Sequence, residues 1–532
     1  MKHTFTRRII CLLLMAAMIA ALCPTFVSAQ GETRGFQKPD GRVIVAETDY
    51  TIAKGVKETQ VILNNSEGTA QVYGYMATIA PNASVKPKAS YAGYYTEGST
   101  VTSRAEAAKS LKWNLRTTTG QAADYEKATG EQVALAVNGD YYNMQTCQSL
   151  GYLIMEGNVV QTGVEQEPYF AVLKDGSYAI RDYGTPHDDV AEAISGPFWL
   201  VKNGEIMVAD TDPTLAPRHS IGLKEDGTLV VFMADGRAGF SAGMTVYEIA
   251  KIQKAQGVVN AIYLDGGGSA TFSSRHEGSE QLKIQNHPSD GPERVVASAL
   301  LFVKTEKSTG KFDHAALKPN NELFVAGSSV QFTANGVDGA GYPVALPESL
   351  TWKLKDASFG TIDASGLFRS NGKCGTVEVE LLWRGDTVGA TSIEVQEPDA
   401  LSFASNSINL AFKASSDLGL RVYCQNRLME LSGFTFNWKL TPVSEGKTPE
   451  QIGSFSGNTF TAVKAAETLQ ATVEVSYTRT DGTVLSDTIF VEIGRMPQVI
   501  FDFEPDENGN VLKYGEYDWG NSSYGATWPE DT

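Results

Sequence analysis

The residues best suited to chemistry follow a run of apolar residues. The stretch Val258–Leu264 is nearly all apolar, which is typical of a strand buried on both faces, and it ends in Asp265-Gly266-Gly267-Gly268-Ser269. Three successive glycines let a ligand approach the main chain, and their N–H groups can bind an anion. No lysine follows, so this is not a Walker loop. We predict a site around Asp265, although a flexible turn would have the same composition.

Three further segments place polar residues at the ends of predicted strands. They are Asn138-Gly139-Asp140, Arg218-His219-Ser220 and Asp235-Gly236-Arg237, the last two at opposite ends of one predicted hairpin. Loops from different strands can converge at one end of a sheet. Each segment also has an ordinary explanation, because Asn-Gly and Asp-Gly are common in turns and single arginines form surface ion pairs.

Four predicted hairpins indicate the kind of sheet that positions these segments. Each joins two apolar runs through a glycine-containing turn, at residues 156–158, 175–176, 203–204 and 226–227. Such units favour an antiparallel or mixed sheet over a parallel sheet of βαβ units. A capping box from Thr245 to Glu248 predicts a helix that ends at Gly257, and 109–115 and 121–128 are also predicted to be helical. The predicted fold class is α+β, a mixed, hairpin-rich sheet with packed helices.

Composition excludes several classes of protein. The 532 residues carry a formal charge of -18, which disfavours binding to nucleic acid or to an anionic membrane. Five cysteines, widely spaced, form neither a disulfide framework nor a zinc pattern. The six histidines lack the spacing of a zinc hydrolase. The sequence therefore predicts no required cofactor, and it leaves a bound divalent cation open.

The amino terminus has the order of a signal peptide. Lys2, Arg7 and Arg8 precede an apolar run, and Val27-Ser28-Ala29 provides a small-residue cleavage site. A membrane anchor is less favoured because the run is shorter than the roughly 20 residues that a spanning helix needs. We predict residues 1–29 to be a signal peptide cleaved near Ala29, a protein that is secreted or at the cell surface, and no membrane span.

Five segments together carry a resemblance to a known family. In chain order they are Asn138-Gly-Asp-Tyr-Tyr, Arg218-His-Ser-Ile-Gly, Asp235-Gly-Arg, Leu264-Asp-Gly-Gly-Gly-Ser-Ala-Thr and Glu293-Arg-Val-Val-Ala-Ser-Ala. This set resembles the phosphodiester glycosidase family over about residues 49–304. The most specific part is the Asp-Gly-Gly-Gly-Ser block with the downstream Glu-Arg. Cys147 stands where the family commonly has glycine.

The resemblance implies a hydrolase that cleaves the C1–O bond of a sugar-1-phosphodiester, of the N-acetylglucosamine type or a related glycan. Its products are the sugar and a phosphomonoester. Such a reaction needs a carboxylate for the oxocarbenium-like centre or its attacking water, and cations with amides for the phosphate. The implied catalytic carboxylates are Asp265, then Asp140, then Glu293. The implied substrate-binding residues are Arg218 and Arg294 with the amides of Gly266, Gly267 and Gly268 for phosphate, Asn138 for sugar hydroxyls, and also His219, Asp235, Arg237 and Ser269.

The resemblance also divides the chain. Residues 30–306 are the expected phosphodiester glycosidase domain, with core motifs in 130–305. Short strands at sandwich spacing follow, so that 320–397 resembles a bacterial immunoglobulin-like domain and 398–495 a second such sandwich. Residues 497–532 begin a further β module or form a tail. The expected partner is a glycan phosphodiester, with a cell-wall polymer or exopolysaccharide as candidates.

Two other functions remain open from the sequence. A non-catalytic cell-surface protein could use the same pocket to bind polysaccharide in adhesion, and immunoglobulin-like repeats suit that role equally well. A phosphodiesterase would break P–O instead of C–O. That class usually recruits paired metals through clusters of histidine and aspartate, which this chain lacks.

Overall fold

A computed structural model describes residues 35–65, 70–110, 112–163 and 167–494. The predicted signal peptide and the predicted module at 497–532 lie outside these residues. The chain divides into two compact units after residue 309, and residues 340–342 belong to the first. Strands account for 49% of the chain and helices for 9%, so the protein is mostly β. No helix in the described part is long and apolar enough to cross a membrane.

Helices and strands of the first unit are short and mostly joined by tight turns. The described helices are α1 (Val101–Ala108), α2 (Thr118–Thr129) and α3 (Val246–Ala255). The described strands are β1 (Arg42–Ala53), β2 (Val56–Asn65), β3 (Val72–Ile79), β4 (Val85–Tyr91), β5 (Arg116–Thr117), β6 (Val133–Asn138), β7 (Tyr152–Met155), β8 (Asn158–Thr162), β9 (Tyr169–Leu173), β10 (Tyr178–Arg181), β11 (Val190–Ser195), β12 (Trp199–Lys202), β13 (Glu205–Ile206), β14 (Arg218–Lys224), β15 (Leu229–Ala234), β16 (Val258–Leu264), β17 (Phe272–Ser274), β18 (Lys283–Ile284), β19 (Val295–Val296) and β20 (Ser298–Lys304).

Three sheets of the first unit enclose its main core. The largest has the order β1-β2-β3-β15-β14-β16-β12-β13, and two five-stranded sheets have the orders β10-β9-β11-β7-β8 and β18-β17-β6-β20-β4. One core cluster joins residues of all three sheets, such as Ile221, Phe170 and Phe302. On the other face of the large sheet, helix α3 buries Ile249 and Ile252. The registers recorded within these sheets are all antiparallel, so no mixed pairing occurs in the described part of this unit.

The structure confirms the four hairpins and the α3 capping box but corrects one helix. Residues 112–115 are not helical, and α1 instead begins earlier, at Val101, where Thr100 and Ser103 form a capping box. Tertiary contacts explain the difference. The Tyr91 hydroxyl donates a hydrogen bond to the carbonyl of Lys112, and the rings of Tyr91 and Trp113 pack edge to face. These contacts outweigh a weak helix propensity.

Two halves of the second unit repeat one pattern of strand pairing. The strands are β21 (Phe312–Lys318), β22 (Leu323–Val325), β23 (Ser329–Gln331), β24 (Thr333–Asp338), β25 (Pro343–Val344), β26 (Leu350–Leu354), β27 (Gly360–Ile362), β28 (Leu367–Ser370), β29 (Gly375–Trp383), β30 (Asp386–Gln396), β31 (Ala400–Phe403), β32 (Ser407–Ala411), β33 (Ser415–Ser416), β34 (Leu420–Cys424), β35 (Arg427–Leu428), β36 (Asn437–Pro442), β37 (Gly453–Ser456), β38 (Thr459–Ala462), β39 (Leu469–Thr478) and β40 (Val484–Gly494). The orders β22-β30-β29-β26 and β32-β40-β39-β36 correspond, each beginning with a parallel pair. This sheet-rich region is consistent with immunoglobulin-like domains.

Candidate active site

Asp265 lies where two sheets of the first unit meet. It follows β16 of the large sheet, and its backbone N–H donates to the carbonyl of Gly139, which follows β6 of a neighbouring sheet (2.9 Å). The side chain of Asn138 completes this junction. Its Nδ2 donates to the backbone carbonyl of Asp265 (2.7 Å), and its Oδ1 accepts the N–H of Thr271 (3.0 Å). The strand ends that the sequence singled out are therefore adjacent.

Glycines 266–268 form a tight turn against neighbouring loops. Gly267 has a φ of +57°, which glycine adopts without strain, and its N–H donates to the carbonyl of Pro217 (2.9 Å). The N–H of Gly266 donates to the Asp265 carboxylate. A side chain at Gly268 would collide with Arg294 and Asp290. Two of the three amides expected to bind phosphate are thus used within the protein.

The carboxyl group of Asp265 is nearly buried. The residue is 9% exposed, and burial raises its pKa to about 7. A hydrogen bond with Ser269, the positive charge of Arg294 and the Gly266 amide oppose that rise. A carboxyl group with a pKa near neutrality can both accept and release a proton under ordinary conditions.

Arg294 and Arg237 flank the glycine turn. Arg294 donates through Nε to Asp290 Oδ2 (2.6 Å) and through Nη1 to Ser269 Oγ (3.5 Å). Arg237 is exposed and has a φ of +59°, a conformation that costs energy for a residue with a side chain. Its Nη1 lies 3.3 Å from where a Cβ of Gly267 would stand. Across the described ranges, Arg237 forms no ion pair. The two guanidinium groups therefore supply positive charge on both sides of the turn.

Arg218 is half-buried and is held by neutral groups. Its Nε donates to the carbonyl of Met244 (2.9 Å), its Nη2 to the carbonyl of Thr214 (2.7 Å) and its Nη1 to the Tyr263 hydroxyl (3.2 Å). None of these acceptors carries a full negative charge. Arg218 forms no ion pair within the described residues, and its charge helps to lower the pKa of Asp212. It therefore contributes positive charge near the turn, and it also fixes the loop before β14.

Three tyrosines line the same region. The Tyr263 ring lies 6.3 Å from the Tyr141 ring and stacks on Phe198. Tyr142 donates its hydroxyl to the carbonyl of Val295 (3.1 Å). Burial raises the pKa of all three hydroxyls, and the charge of Asp265 adds to the rise. These hydroxyls stay protonated at neutral pH. Tyr263 is buried, whereas Tyr141 and Tyr142 are half-buried, and the Tyr142 oxygen can only accept a further hydrogen bond because its proton is donated to Val295.

Asp140 is buried behind this surface, with a second carboxylate beside it. Its Oδ1 accepts the N–H of Tyr141 and its Oδ2 that of Gly151, both at 2.7 Å. Burial, then the charge of Glu167 and finally that of Asp265 raise the pKa of Asp140. A Cβ at Gly151 would stand 2.6 Å from Glu167 Oε2, which places the two carboxyls on either side of Gly151. Asp140 therefore lies behind Asp265 rather than at the surface.

Three other residues that were predicted to belong to the site are buried or engaged in contacts within the fold. Glu293 accepts hydrogen bonds from the N–H (2.9 Å) and hydroxyl of Thr119, in the first turn of α2. His219 is fully buried, and burial lowers its pKa to about 3, so it is neutral. Asp235 is also fully buried, and it accepts the N–H of His287 (3.0 Å). Asn138, His219 and Asp235 therefore expose no surface to a ligand.

Sequence reasoning missed Glu167 and Tyr263 as members of this region. Tyr263 lies within the apolar run of β16, where an aromatic residue is expected in the core. Glu167 belongs to none of the five motifs, and only the folding of the chain brings it close to Asp140. The alternation of β16 could have indicated Tyr263, because it occupies the position two before Asp265 and so faces the same side.

Comparisons with known proteins indicate the family that this part of the chain resembles. The model of a family described as phosphodiester glycosidase matches residues 131–303. N-acetylglucosamine-1-phosphodiester alpha-N-acetylglucosaminidase from Mus musculus is 31% identical over 182 residues, which cover 29% of this chain and 35% of the mouse protein. The Homo sapiens protein of the same name is 30% identical over the same lengths. The chain thus spans about a third of the length of these relatives.

A solved structure of a protein with the same name also aligns with this chain. The catalytic domain of the zebrafish N-acetylglucosamine-1-phosphodiester alpha-N-acetylglucosaminidase aligns with 50% of this chain and 89% of its own, at 23% identity and a TM-score of 0.37.

Proposed function

We propose that the phosphodiester glycosidase domain which this chain contains hydrolyses the C1–O bond of a sugar-1-phosphodiester. The sugar is of the N-acetylglucosamine type or a related glycan, as in the names of the relatives, and the products are the free sugar and a phosphomonoester. One observation carries the proposal. The nearly buried Asp265, with a pKa of about 7, lies at a glycine turn that Arg237 and Arg294 flank.

Electrostatics favours a phosphate ligand at this turn. The chain as a whole has a formal charge of -18, yet three arginines gather here and Asp290 pairs with only one of them. A phosphodiester carries one negative charge, and guanidinium groups bind phosphate oxygens by short charge-assisted hydrogen bonds. In this proposal Arg237 and Arg294 contact the phosphate oxygens, and Arg218 stabilises the negative charge from below.

Asp265 supplies the carboxylate at the sugar carbon. When C1–O breaks, the bonding electrons leave with the phosphate oxygen, and positive charge develops at C1. Ionised Asp265 either attacks C1 or takes a proton from the water that does, and both routes need the carboxylate form. Because a phosphomonoester is a good leaving group, its departure needs little protonation. The half-buried Tyr141 and Tyr142 are assigned to sugar hydroxyls, with the Tyr142 oxygen as an acceptor.

The remaining predictions complete the proposal. We infer that the protein is secreted or held at the cell surface, where its substrate is a glycan phosphodiester of a cell wall or exopolysaccharide. The first domain is proposed to be α+β, and residues 320–397 and 398–495 are proposed to be immunoglobulin-like sandwiches. Their repeated strand orders support this organisation.

Turnover by matched variants tests the proposal. We expect the full chain to hydrolyse N-acetylglucosamine-1-phosphate diesters. We expect the Asp265→Asn variant, which keeps the size of the side chain, to lose about 10²–10⁴-fold in kcat while still binding substrate. Asp226→Asn is the control, because it removes an exposed carboxylate in the turn between β14 and β15, outside the proposed reaction. Equal turnover by wild type and Asp265→Asn would exclude the assigned role. Binding without turnover of any diester would indicate a polysaccharide-binding protein instead.

A further inference from the structure

Two glycines of the segment between β15 and α3 pack against one peptide. A Cβ at Gly236 would stand 2.7 Å from the carbonyl carbon of Ala216 and 2.7 Å from the nitrogen of Pro217. A Cβ at Gly243 would stand 2.7 Å from the oxygen of Ala216. Gly236 does not have a positive φ, so the turn itself does not require glycine there. The close approach of the neighbouring peptide is therefore what excludes a side chain at this position.

Hydrogen bonds hold that peptide in place. Ala216 and Met244 exchange both of their backbone hydrogen bonds, at 3.2 Å from the N–H of Ala216 and at 3.0 Å from that of Met244. Arg218 follows Pro217 and donates from Nε to the same Met244 carbonyl (2.9 Å). Ala216, Pro217 and Met244 are all buried. We name the peptide of residues 216–217, with Gly236 and Gly243 packed against it, the glycine clamp.

The clamp contacts the glycine turn through one carbonyl group. The oxygen of Pro217 accepts the N–H of Gly267 (2.9 Å), and it would stand 2.7 Å from a Cβ at Gly266. Gly266 in turn donates its N–H to the Asp265 carboxylate. A displacement of the Pro217 carbonyl therefore moves the backbone that binds this carboxylate.

We infer that Gly236 and Gly243 are positioning residues for the proposed reaction, because the room that they leave for the 216–217 peptide fixes the backbone beside the Asp265 carboxylate. The effect on turnover rests on the proposed function, whereas the effect on the carboxyl group does not. The inference also explains the Asp-Gly-Arg segment. Gly236 makes room for the peptide, and Arg237 lies against the turn, with Nη1 3.3 Å from where a Cβ of Gly267 would stand.

The titration of Asp265 reports the position of the turn. The hydrogen bond from the Gly266 amide favours the charged carboxylate, and it opposes the rise in pKa that burial causes. A displaced turn weakens this bond, so the pKa of Asp265 should rise further. A clamp substitution leaves unchanged the other groups that interact with this carboxyl group, which are Ser269, Arg294, Asp140, Tyr141, Tyr142 and Tyr263.

Three clamp variants and one control test the inference in the full chain. Gly236→Ala and Gly243→Ala displace the peptide, and Ala216→Gly loosens it without adding an atom. Gly239→Ala is the matched control, because it lies in the same segment and a Cβ there would have no atom within 4 Å. ¹³C NMR of aspartate-labelled protein follows the carboxyl titration, and Asp265→Asn identifies the signal. Circular dichroism verifies folding.

The clamp variants should titrate at a higher pH than the wild type. We expect the midpoint of the Asp265 titration to rise by about 0.5–1 pH unit in Gly236→Ala and Gly243→Ala, and by less in Ala216→Gly. The midpoint in Gly239→Ala should not change. The midpoint of the kcat/KM profile should rise with that of the carboxyl group, and the two glycine-to-alanine variants should lose about 10- to 100-fold in kcat/KM at pH 7. A loss of stability alone would not move either midpoint.

The outcomes separate this inference from the proposed function. An unchanged or lowered Asp265 midpoint in every folded clamp variant would overturn the inference and leave the proposed function standing. If neither glycine variant folds, Ala216→Gly decides by the same criterion. If the wild type cleaves no sugar-1-phosphodiester, the proposed function fails. The NMR titration then still decides the inference, which stands if the clamp variants raise the midpoint and falls if they do not.

Discussion

Asn138 donates a hydrogen bond from its side-chain amide to the backbone carbonyl of Asp265, 127 residues later in the chain. The same amide accepts the N–H of Thr271, so one buried side chain satisfies backbone groups before and after the glycine turn. The turn is therefore shaped by the end of β6 as much as by its own glycines. We therefore infer that Asn138 positions Asp265.

Removing this amide should loosen the turn. Asn138→Ala leaves a buried carbonyl and a buried N–H without their partner, so we expect the free energy of unfolding to fall by about 2–4 kcal/mol. Urea denaturation measures the loss, and kcat of the folded variant should fall with it. Asn143→Ala, which removes side-chain hydrogen bonds to the N–H groups of Gln145 and Thr146 in an exposed loop, is the control and should lower stability less. If Asn138→Ala is as stable as the wild type, the hydrogen bonds of the Asn138 side chain contribute little to stability.

Arg237 and Arg294 should affect substrate binding with little effect on folding. Loss of one charge-assisted contact with phosphate costs about 1.5–3 kcal/mol, so each alanine variant should lose about 10- to 100-fold in kcat/KM. Arg294→Lys should recover little, since lysine cannot reproduce a planar two-point contact. Arg218→Ala should behave differently and also lower the thermal midpoint, because its guanidinium holds two backbone carbonyls. Normal kinetics in both Arg237→Ala and Arg294→Ala would mean that the phosphate binds at another position.

Glu293 should contribute to stability more than to catalysis. Its carboxylate caps the first turn of α2, and loss of such a cap costs about 1 kcal/mol. We therefore expect Glu293→Ala to lower the thermal midpoint while kcat falls far less than in Asp265→Asn. Thr119→Ala removes the partner hydroxyl and should produce a similar, smaller shift. If kcat instead falls by orders of magnitude while stability is unchanged, Glu293 is a catalytic residue.

The raised pKa of Asp265 predicts how activity depends on pH. The reaction needs the carboxylate, so kcat/KM should rise with pH, reach half its maximum near pH 7 and then level off. Stability changes in the opposite direction. The folded protein binds this proton more tightly than the unfolded chain, so the Asp265 contribution to stability is lost as pH rises from about 4 to 7. Asp265→Asn should therefore be more stable than wild type at pH 8 and lack the activity profile. A flat profile in the wild type would contradict the assignment.

Local patterns in the sequence predicted much of the fold but only part of the site. The hairpins and the Thr245 helix cap depend on residues that are close in the chain, so the local sequence was enough to predict them. The packing of Tyr91 on Trp113, which displaced the predicted helix at 109–115, joins residues 22 positions apart and has no local signature. Likewise, Asp235 belongs to a motif that suggested ligand binding, yet the fold places its carboxylate beneath His287. A motif identifies which residues are special, but only the tertiary contacts show what each one touches.

The position of bond cleavage tests the central claim most directly. Wild-type protein is incubated with an N-acetylglucosamine-1-phosphodiester in ¹⁸O-enriched water, and both products are analysed by mass spectrometry. Because water attacks C1 in our account, the label should appear in the sugar, and the phosphomonoester should carry none. Label in the phosphate would mean that P–O breaks, which would make the protein a phosphodiesterase and contradict the role assigned to Asp265.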